Sequence, residues 1–366
     1  MPLVNPLPLS VRLFLGCVLL LCVALTAYRY GRDPEYSVIE FQGNSMGTTW
    51  LVKIATGALP KSEQEKISKT LKYSLSKVDS LMSTWREDSE LSKFNRYNGV
   101  IPFALSSETF TVFEVAQSVA RSSKGALDIT VAPLVEEWGF GPGGAQEFSG
   151  PSNTKGFQSR IGFEKLKLFP NGPAVSKSIS GVKCDLSAIA KGFAVDEVAR
   201  GLRDLGFENF LVEIGGELKA SGTHLNGQIW RVAIEAPIFQ EDGFTRRKVH
   251  RVLDLNNQAM ATSGDYRNYV EREGERYSHT IDPMTGRPVK HSLASVTVIH
   301  EMAVWADAWA TALNVLGPDA GYNLARKEKL SAYFISRQPI SGSETDNGIE
   351  VRFTPEFAVQ LQGHRN

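Results

Sequence analysis

Two hydrophobic periods alternate along the chain, and they predict different elements. Val38-Ile39-Glu40-Phe41 and Trp50-Leu51-Val52-Lys53-Ile54 read as strands, the two arms of a hairpin. Between them, Asn44-Ser45-Met46-Gly47-Thr48-Thr49 reads as a small polar loop that carries one Met. A helical period then takes over. Ile67, Leu71, Leu75, Val78, Leu81 and Met82 recur at its spacing, and Ser62 with Glu65 three residues on has the form of a capping box. A second amphipathic helix is expected over 107–122, capped by Ser106 or Ser107, with Phe110, Phe113, Val115 and Val119 on its apolar side. Leu127 to Val135 is a mixed segment ending near Pro133, and 139–156, rich in Gly, Pro, Ser and Asn, reads as a mobile surface loop.

Further along, Ile179 to Asp185 reads as a strand and Ala188 to Leu205 as a helix, with Phe193, Val195, Val198, Ala199 and Leu202 inward. Phe210 to Ile214 is a buried strand ended by Gly215-Gly216. Trp230 to Ile234, Val249 to Leu255 and Ser295 to Ile299 are further strands, and Ala303 to Leu316 a further helix. Strands and helices mix without a regular βαβ rhythm, so the expected class is α+β, as one large mixed domain over 38–340. Residues 1–30 precede it as an apolar anchor and 31–37 as a linker. A tail over 341–366 follows, for which no role is derived. No repeat of fixed period and no low-complexity segment is present.

Leu13 to Ala27 contains no charged residue; Arg12 precedes it, and Arg29 and Arg32 follow. The run is short for a spanning helix, which needs about 20 apolar residues, and long for a signal-peptide core of about 7–15. Leu25-Thr26-Ala27 is a poor cleavage site, and Gly16-Cys17 a poor lipoprotein signal, because the apolar run mostly follows the Cys. Export with retained membrane anchorage is favoured, cleavage is second, and both place the body outside the cytoplasm.

The chain has 366 residues with 40 acidic and 40 basic side chains. That balance argues against a dedicated nucleic-acid binder, which shows a basic excess. Arg246-Arg247-Lys248 is short, lies close to Glu241 and Asp242, and reads as a solvated loop. Of three cysteines, only Cys184 lies in the body, so an intradomain disulfide and a structural zinc site are both excluded. Cys184 reads as a small buried hydrophobe in preference to a nucleophile.

The chemistry concentrates in a few segments. His279 and Asp282 stand three positions apart just before a turn set by Pro283 and Gly286, an arrangement suited to proton transfer. Asp307 and Thr311 are four apart, so a helix puts both oxygens on one face, suited to a hard cation such as Mg²⁺. Asp185-Leu186-Ser187-Ala188-Ile189-Ala190-Lys191-Gly192 joins a strand to a helix. Its small residues admit a ligand to the backbone, and Lys191 is either a phosphate contact or an ordinary surface lysine. Gly215-Gly216-Glu217 is a close-approach site or a plain turn. Met82-Ser83-Thr84-Trp85-Arg86 offers either an aromatic and a cation for a planar ring or a helix end on the core. Neither a Walker A loop nor a dinucleotide Gly-x-Gly-x-x-Gly occurs.

Taken in order, Met46-Gly47-Thr48-Thr49, Met82-Ser83-Thr84-Trp85, Leu127-Asp128-Ile129-Thr130-Val131, Asp185 to Gly192, Glu213-Ile214-Gly215-Gly216-Glu217, Thr262-Ser263-Gly264-Asp265-Tyr266, His279 to Pro283 and Asp307 to Thr311 resemble the motifs of the ApbE family. These are FAD:protein FMN transferases, or flavin transferases, of the bacterial periplasm, and the resemblance covers roughly 38–316. It implies that Met46 lies on the flavin and that Trp85, where many members carry Tyr, also contacts FAD. It implies an adenine side lined by Ala126, Leu127 and Asp128, and FAD contacts at Asp185, Lys191 and Ile281. Mg²⁺ would be held by Asp307, Thr311 and Ala188, the last through its carbonyl because alanine has no side-chain oxygen. His279 matches the catalytic histidine. The implied reaction is Mg²⁺-dependent transfer of FMN from FAD to a threonine hydroxyl of an acceptor flavoprotein, releasing AMP. The implied acceptor is a subunit of a membrane redox complex (Rnf/Nqr-like), at the periplasmic side of the inner membrane. The alternatives are an FAD pyrophosphatase and a non-catalytic flavin-binding protein; intact His279, Asp307 and Thr311 disfavour the latter.

Overall fold

The computed structural model describes residues 37–99, 101–142, 156, 159–237, 248–264, 269–272, 275–338 and 348–362. The N-terminal apolar run and nearly all of the linker lie outside them. So do most of the 139–156 loop, Arg246 and Arg247, Asp265 and Tyr266, and the 341–347 stretch of the tail. No helix among the described residues is long and apolar enough to cross a membrane.

The hairpin arms are longer than the apolar runs suggest. β1 (Ser37–Ser45) and β2 (Thr48–Thr56) stay paired down to Ser45 opposite Thr48. The expected six-residue loop is therefore a two-residue turn, Met46-Gly47, with φ of 52° and 72°. Positive φ at both central residues matches the right-handed twist of the two strands. Polar residues on the arms concealed this, because an edge ladder needs backbone groups and not apolar side chains. α1 (Lys61–Met82) buries Ile67, Leu71, Leu75, Val78 and Met82 as the spacing predicts. Its N-cap is Pro60, with no side-chain cap, so Ser62 and Glu65 lie inside the helix and no capping box forms. α2 (Glu90–Arg96) and the short β3 (Phe103–Ala104) follow. α3 (Ser107–Ser122) occupies the expected residues, and the Ser106 hydroxyl accepts from the Thr109 N–H at 3.3 Å.

The mixed segment resolves into a 3₁₀ turn, Ile129–Val131, running into α4 (Ala132–Glu137). The strand expected over 179–185 does not form. β4 (Leu166–Phe169), β5 (Ala174–Lys177) and β3 make a small sheet instead. The chain over 182–186 runs without a backbone ladder and pairs with a side chain. Asn95 donates to the Cys184 carbonyl at 2.8 Å and accepts from the Cys184 N–H at 2.7 Å. Buried apolar alternation around one asparagine amide has the sequence pattern of a strand. Cys184 is fully buried, and burial pushes its thiol far above the usual range, as befits an inert packing residue.

α5 (Ala190–Asp204) buries the expected Phe193, Val195, Val198, Ala199 and Leu202. The strands β6 (Phe210–Ile214), β7 (Glu217–Ser221), β8 (Trp230–Glu235), β9 (Val249–Leu255) and β10 (Ala259–Gly264) follow. β11 (Tyr269–Arg272), β12 (Glu275–Ser278), β13 (Ile281–Asp282), β14 (Arg287–Pro288) and β15 (Leu293–His300) complete the run to α6 (Ala303–Lys327). α6 is broken at Gly317, where φ is 77° and ψ −172°, so its first half ends where the pattern predicted. β16 (Ser331–Arg337), β17 (Ile349–Phe353) and α7 (Pro355–Gln362) close the described fold.

The main sheet has eight strands in the order β1-β2-β6-β7-β10-β15-β16-β17, every neighbouring pair antiparallel. It is buried on both faces. Ala259, Ala261, Val296, Val298, Ala332 and Phe334 face the helices α1, α3, α5 and α6. Met260, Ile299, Tyr333 and Ile335, their alternates, face the β8–β9 hairpin and α7. An antiparallel sheet with its long helices on one side, and only the short α7 beside the hairpin on the other, agrees with the α+β expectation. β7 alternates as well, but its helix-facing side chains are polar and buried. Its Leu218 and Ala220 face the hairpin layer, while Glu217, Lys219 and Ser221 are buried toward α5 and pair with Lys191, Asp196 and Arg203 there.

Candidate active site

At one end of the helical layer, four parts of the chain converge on a cavity of about 480 Å³. They are the segment around the 3₁₀ turn, the start of α5, the end of β10 with the segment before β13, and the first half of α6. Ala126, Leu127, Asp128, Asp185, Ala188, Lys191, His279, Ile281, Asp307 and Thr311 all line it.

Met46 and Trp85 do not. Met46 is half-buried on the core at its turn, and the same turn borders the cavity rim. A Cβ on Gly215, a lining residue, would lie 3.0 Å from Thr48 and 3.3 Å from Lys191. Trp85 is 66% exposed. Its neighbour Thr84 lines a second cavity of about 590 Å³ that shares Val135 and Asp185 with the first. Arg86 is engaged by Asp88 and Asp79, and Met82 is in the core, so this stretch is a helix end with one free aromatic face.

The start of α5 is shaped by three local interactions. Asp185 accepts from the Ser187 N–H at 2.7 Å, turning the chain into the helix. Gly192 lets α5 approach α6 closely, because a Cβ there would lie 2.4 Å from the Ala303 carbonyl oxygen and 2.7 Å from the Asp307 Cβ. The Gly192 N–H, one of the first-turn donors that a helix leaves without an internal acceptor, donates to Asp307 Oδ2 at 2.9 Å.

The electrostatics are those of carboxylates short of counter-charge. Asp307 is 5% exposed and Glu217 is 3% exposed. Lys191 reaches Glu217 Oε1 at 2.5 Å, so it is a cavity lysine and not an ordinary surface one. Glu217 Oε2 is buried with no hydrogen-bond partner. Burial pushes the Glu217 carboxyl up to about 7, opposed by Lys191. Burial also raises Asp307, against the pull of Lys191 and the Gly192 N–H, and raises Asp185 and Asp128 against their own hydrogen bonds.

Glu217 is the site residue whose role the sequence did not reveal. Only its position after two glycines marked it; its bond to Lys191 spans 26 residues. A test follows from its shift. Folded Glu217 keeps its proton up to about 7, whereas its ordinary value is 4.5, so the folded state binds more protons between those values. Stability from this group is present below the lower value and lost as pH rises through the window. Glu217→Gln is expected to flatten the fall in melting temperature between pH 4.5 and 7.5. An unchanged slope would show that burial does not hold this proton.

No group of three or more His, Cys, Asp or Glu side chains suited to a metal occurs among the described residues. One carboxylate (Asp307), one hydroxyl (Thr311) and one backbone carbonyl (Ala188), all from residues lining the cavity, nevertheless fit Mg²⁺. This ion takes few protein ligands and completes its shell with water and substrate phosphates. Asp282 serves the turn. Its Oδ1 accepts from the Met284 N–H and its Oδ2 from the Thr285 hydroxyl, both at 2.9 Å, and its carbonyl accepts from the Gly286 N–H at 2.8 Å.

Comparison with known proteins agrees with this arrangement. The model of the ApbE family matches residues 46–334. An FAD:protein FMN transferase of Haemophilus influenzae is 39% identical over 342 residues, 92% of this chain and 96% of that relative. The solved flavin transferase ApbE from Vibrio cholerae is 37% identical with a TM-score of 0.78, covering 89% of this chain and 100% of that one. The apo form of the Pseudomonas stutzeri flavinyl transferase ApbE is 35% identical with a TM-score of 0.77, covering 89% and 97%.

Proposed function

The chain belongs to the ApbE family, and from that footing we propose that it is an FAD:protein FMN transferase acting on a threonine hydroxyl with Mg²⁺. The observation that carries this is the gathering of His279, Lys191, Asp307, Thr311 and Ala188 on one cavity from segments distant in sequence.

The threonine oxygen of the acceptor attacks the phosphorus of the FMN half of the pyrophosphate. The bond from that phosphorus to the AMP oxygen breaks, leaving FMN in phosphoester linkage and AMP as the leaving group. His279 takes the hydroxyl proton. Lys191 contributes a fixed positive charge to the phosphates. Asp307, Thr311 and the Ala188 carbonyl would hold Mg²⁺, which would supply charge neutralisation on the pyrophosphate. Ala126, Leu127 and Asp128 border the adenine side, with Asp185 and Ile281 as further FAD contacts. Met46 and Trp85 reach the flavin from the rim and from the mouth of the second cavity. Phosphoryl transfer asks mainly for positioning and charge stabilisation, which suits a site without a nucleophilic Cys or Ser.

The acceptor is a flavoprotein subunit of a membrane redox complex (Rnf/Nqr-like), met at the periplasmic side of the bacterial inner membrane. The uncharged run Leu13 to Ala27 tethers the enzyme there. Mass spectrometry of an acceptor incubated with FAD and Mg²⁺ tests the activity. Transfer adds the FMN moiety to the acceptor with release of AMP. Free FMN and AMP beside an unmodified acceptor would make the protein a pyrophosphatase, and intact FAD would make it a binding protein. Removing residues 1–30 is expected to yield a soluble, active enzyme, since that segment contributes no site residue. Aggregation or loss of FAD binding would place it in the fold instead.

A further inference from the structure

Asp307, Thr311 and Asn314 stand at i, i+4 and i+7 of α6, on one face of the helix. The first two line the cavity. Asn314 lies behind it with no exposed surface. Its side-chain amide donates to the Ser263 hydroxyl at 3.1 Å and to the Thr280 hydroxyl at 3.4 Å. Both partners line the cavity, and Thr280 sits between His279 and Ile281. The Asn314 side-chain oxygen is buried without a partner. A buried amide left half-satisfied is costly where an apolar residue would pack, so its retention asks for a reason beyond packing.

The backbone of Asn314 is held as firmly. Residue 318 is proline and has no N–H, so the Asn314 carbonyl lacks its helical donor. His291 Nε2 donates to that carbonyl at 2.7 Å. Gly317 makes room for the ring, since a Cβ there would lie 2.9 Å from His291 Cδ2. On the other side, the Thr280 carbonyl accepts from the Val289 N–H at 3.0 Å.

We propose that Asn314 is a positioning residue for the transfer: its amide ties the segment carrying His279, through Thr280, to the helix carrying Asp307 and Thr311. The assignment rests on His279 being the group that takes the acceptor's proton. The amide sets the distance between that imidazole and the cation-holding face, a distance on which proton transfer depends steeply.

The test is a double-mutant cycle in the full-length protein with FAD, Mg²⁺ and an acceptor, using Asn314→Ala, His279→Ala and both together. Asn314→Ala is expected to lower kcat roughly 10- to 100-fold with KM for FAD little changed. It should add almost no further loss in the His279→Ala background, because the group it positions is already gone. A merely structural role predicts losses that multiply, and that outcome, or a raised KM at unchanged kcat, overturns the proposal. If Asn314→Ala does not fold, Thr280→Val removes only the hydroxyl that the amide holds and should show the same non-additive loss; a multiplicative one overturns the proposal equally. Normal transfer by His279→Ala alone would instead remove the proton-transfer role of His279 on which the assignment rests.

Discussion

Asp307→Asn is expected to lower FMN transfer by roughly 10³-fold while the protein still folds. Loss of several kcal/mol of charge stabilisation at a cation corresponds to about that factor. The choice of asparagine follows from the local geometry. Asp307 Oδ2 accepts the Gly192 N–H at 2.9 Å, and an amide oxygen can keep that bond. Asp307→Ala would leave a buried N–H without an acceptor where two helices touch, so a drop in activity would mix lost chemistry with lost packing. Asparagine removes the charge alone, and neither Thr311 nor the Ala188 carbonyl replaces it. Transfer rates across a Mg²⁺ titration, beside a melting curve, decide the matter. Full activity at low micromolar Mg²⁺ would withdraw Asp307 from the cation site. In the wild type, burial raises the Asp307 carboxyl, and a ligand must be deprotonated to bind metal. Mg²⁺ affinity is therefore expected to weaken as pH falls.

His279→Ala is expected to cut transfer by roughly 10²–10⁴, the usual worth of a general acid–base group, with FAD affinity little changed. In the proposed mechanism the imidazole acts on the acceptor hydroxyl in the transition state, whereas FAD would be held from the Lys191 side and by the cation face of α6. Separate measurements of FAD binding and of the transfer step distinguish the possibilities. A variant that transfers at the normal rate has no need of this base. One that fails to bind FAD makes His279 a substrate-positioning group. Asp282 gives no ready support to the ring, since both its carboxylate oxygens are engaged by the turn at Met284 and Thr285.

Much of this was legible residue by residue. The inward faces of α1, α3 and α5 followed from apolar spacing, because a helix repeats its environment every 3.6 residues whatever it packs against. β6 and β9 followed from period-two alternation and bulky apolar runs, and the chemistry-bearing residues from their types and order. Failures came where backbone groups found partners that no local pattern encodes. The 182–186 stretch alternates like a strand, yet its Cys184 backbone bonds the side chain of Asn95, 89 residues away, and its Asp185 N–H the Ile129 carbonyl. Ser62 and Glu65 match a capping box, but the helix starts two residues earlier than that box would set, at Lys61, and Pro60 takes the cap position.

The division has a physical basis. Local spacing determined which faces would be buried, that a helix would run over Ala303 to Leu316, and that Asp307 and Thr311 would share a side. Only the packed fold decided which charges meet. Lys191 and Glu217 are brought together across 26 residues, and Gly192 and Asp307 across 115. The same close approach of α5 to α6 gives a first-turn N–H of α5 its acceptor on Asp307. Desolvation, which raises Glu217 and Asp307, is likewise a property of what surrounds a carboxyl and not of its neighbours in the chain. Helical and strand periods are written in adjacent residues; the electrostatics of a cavity exist only once distant segments have excluded water together.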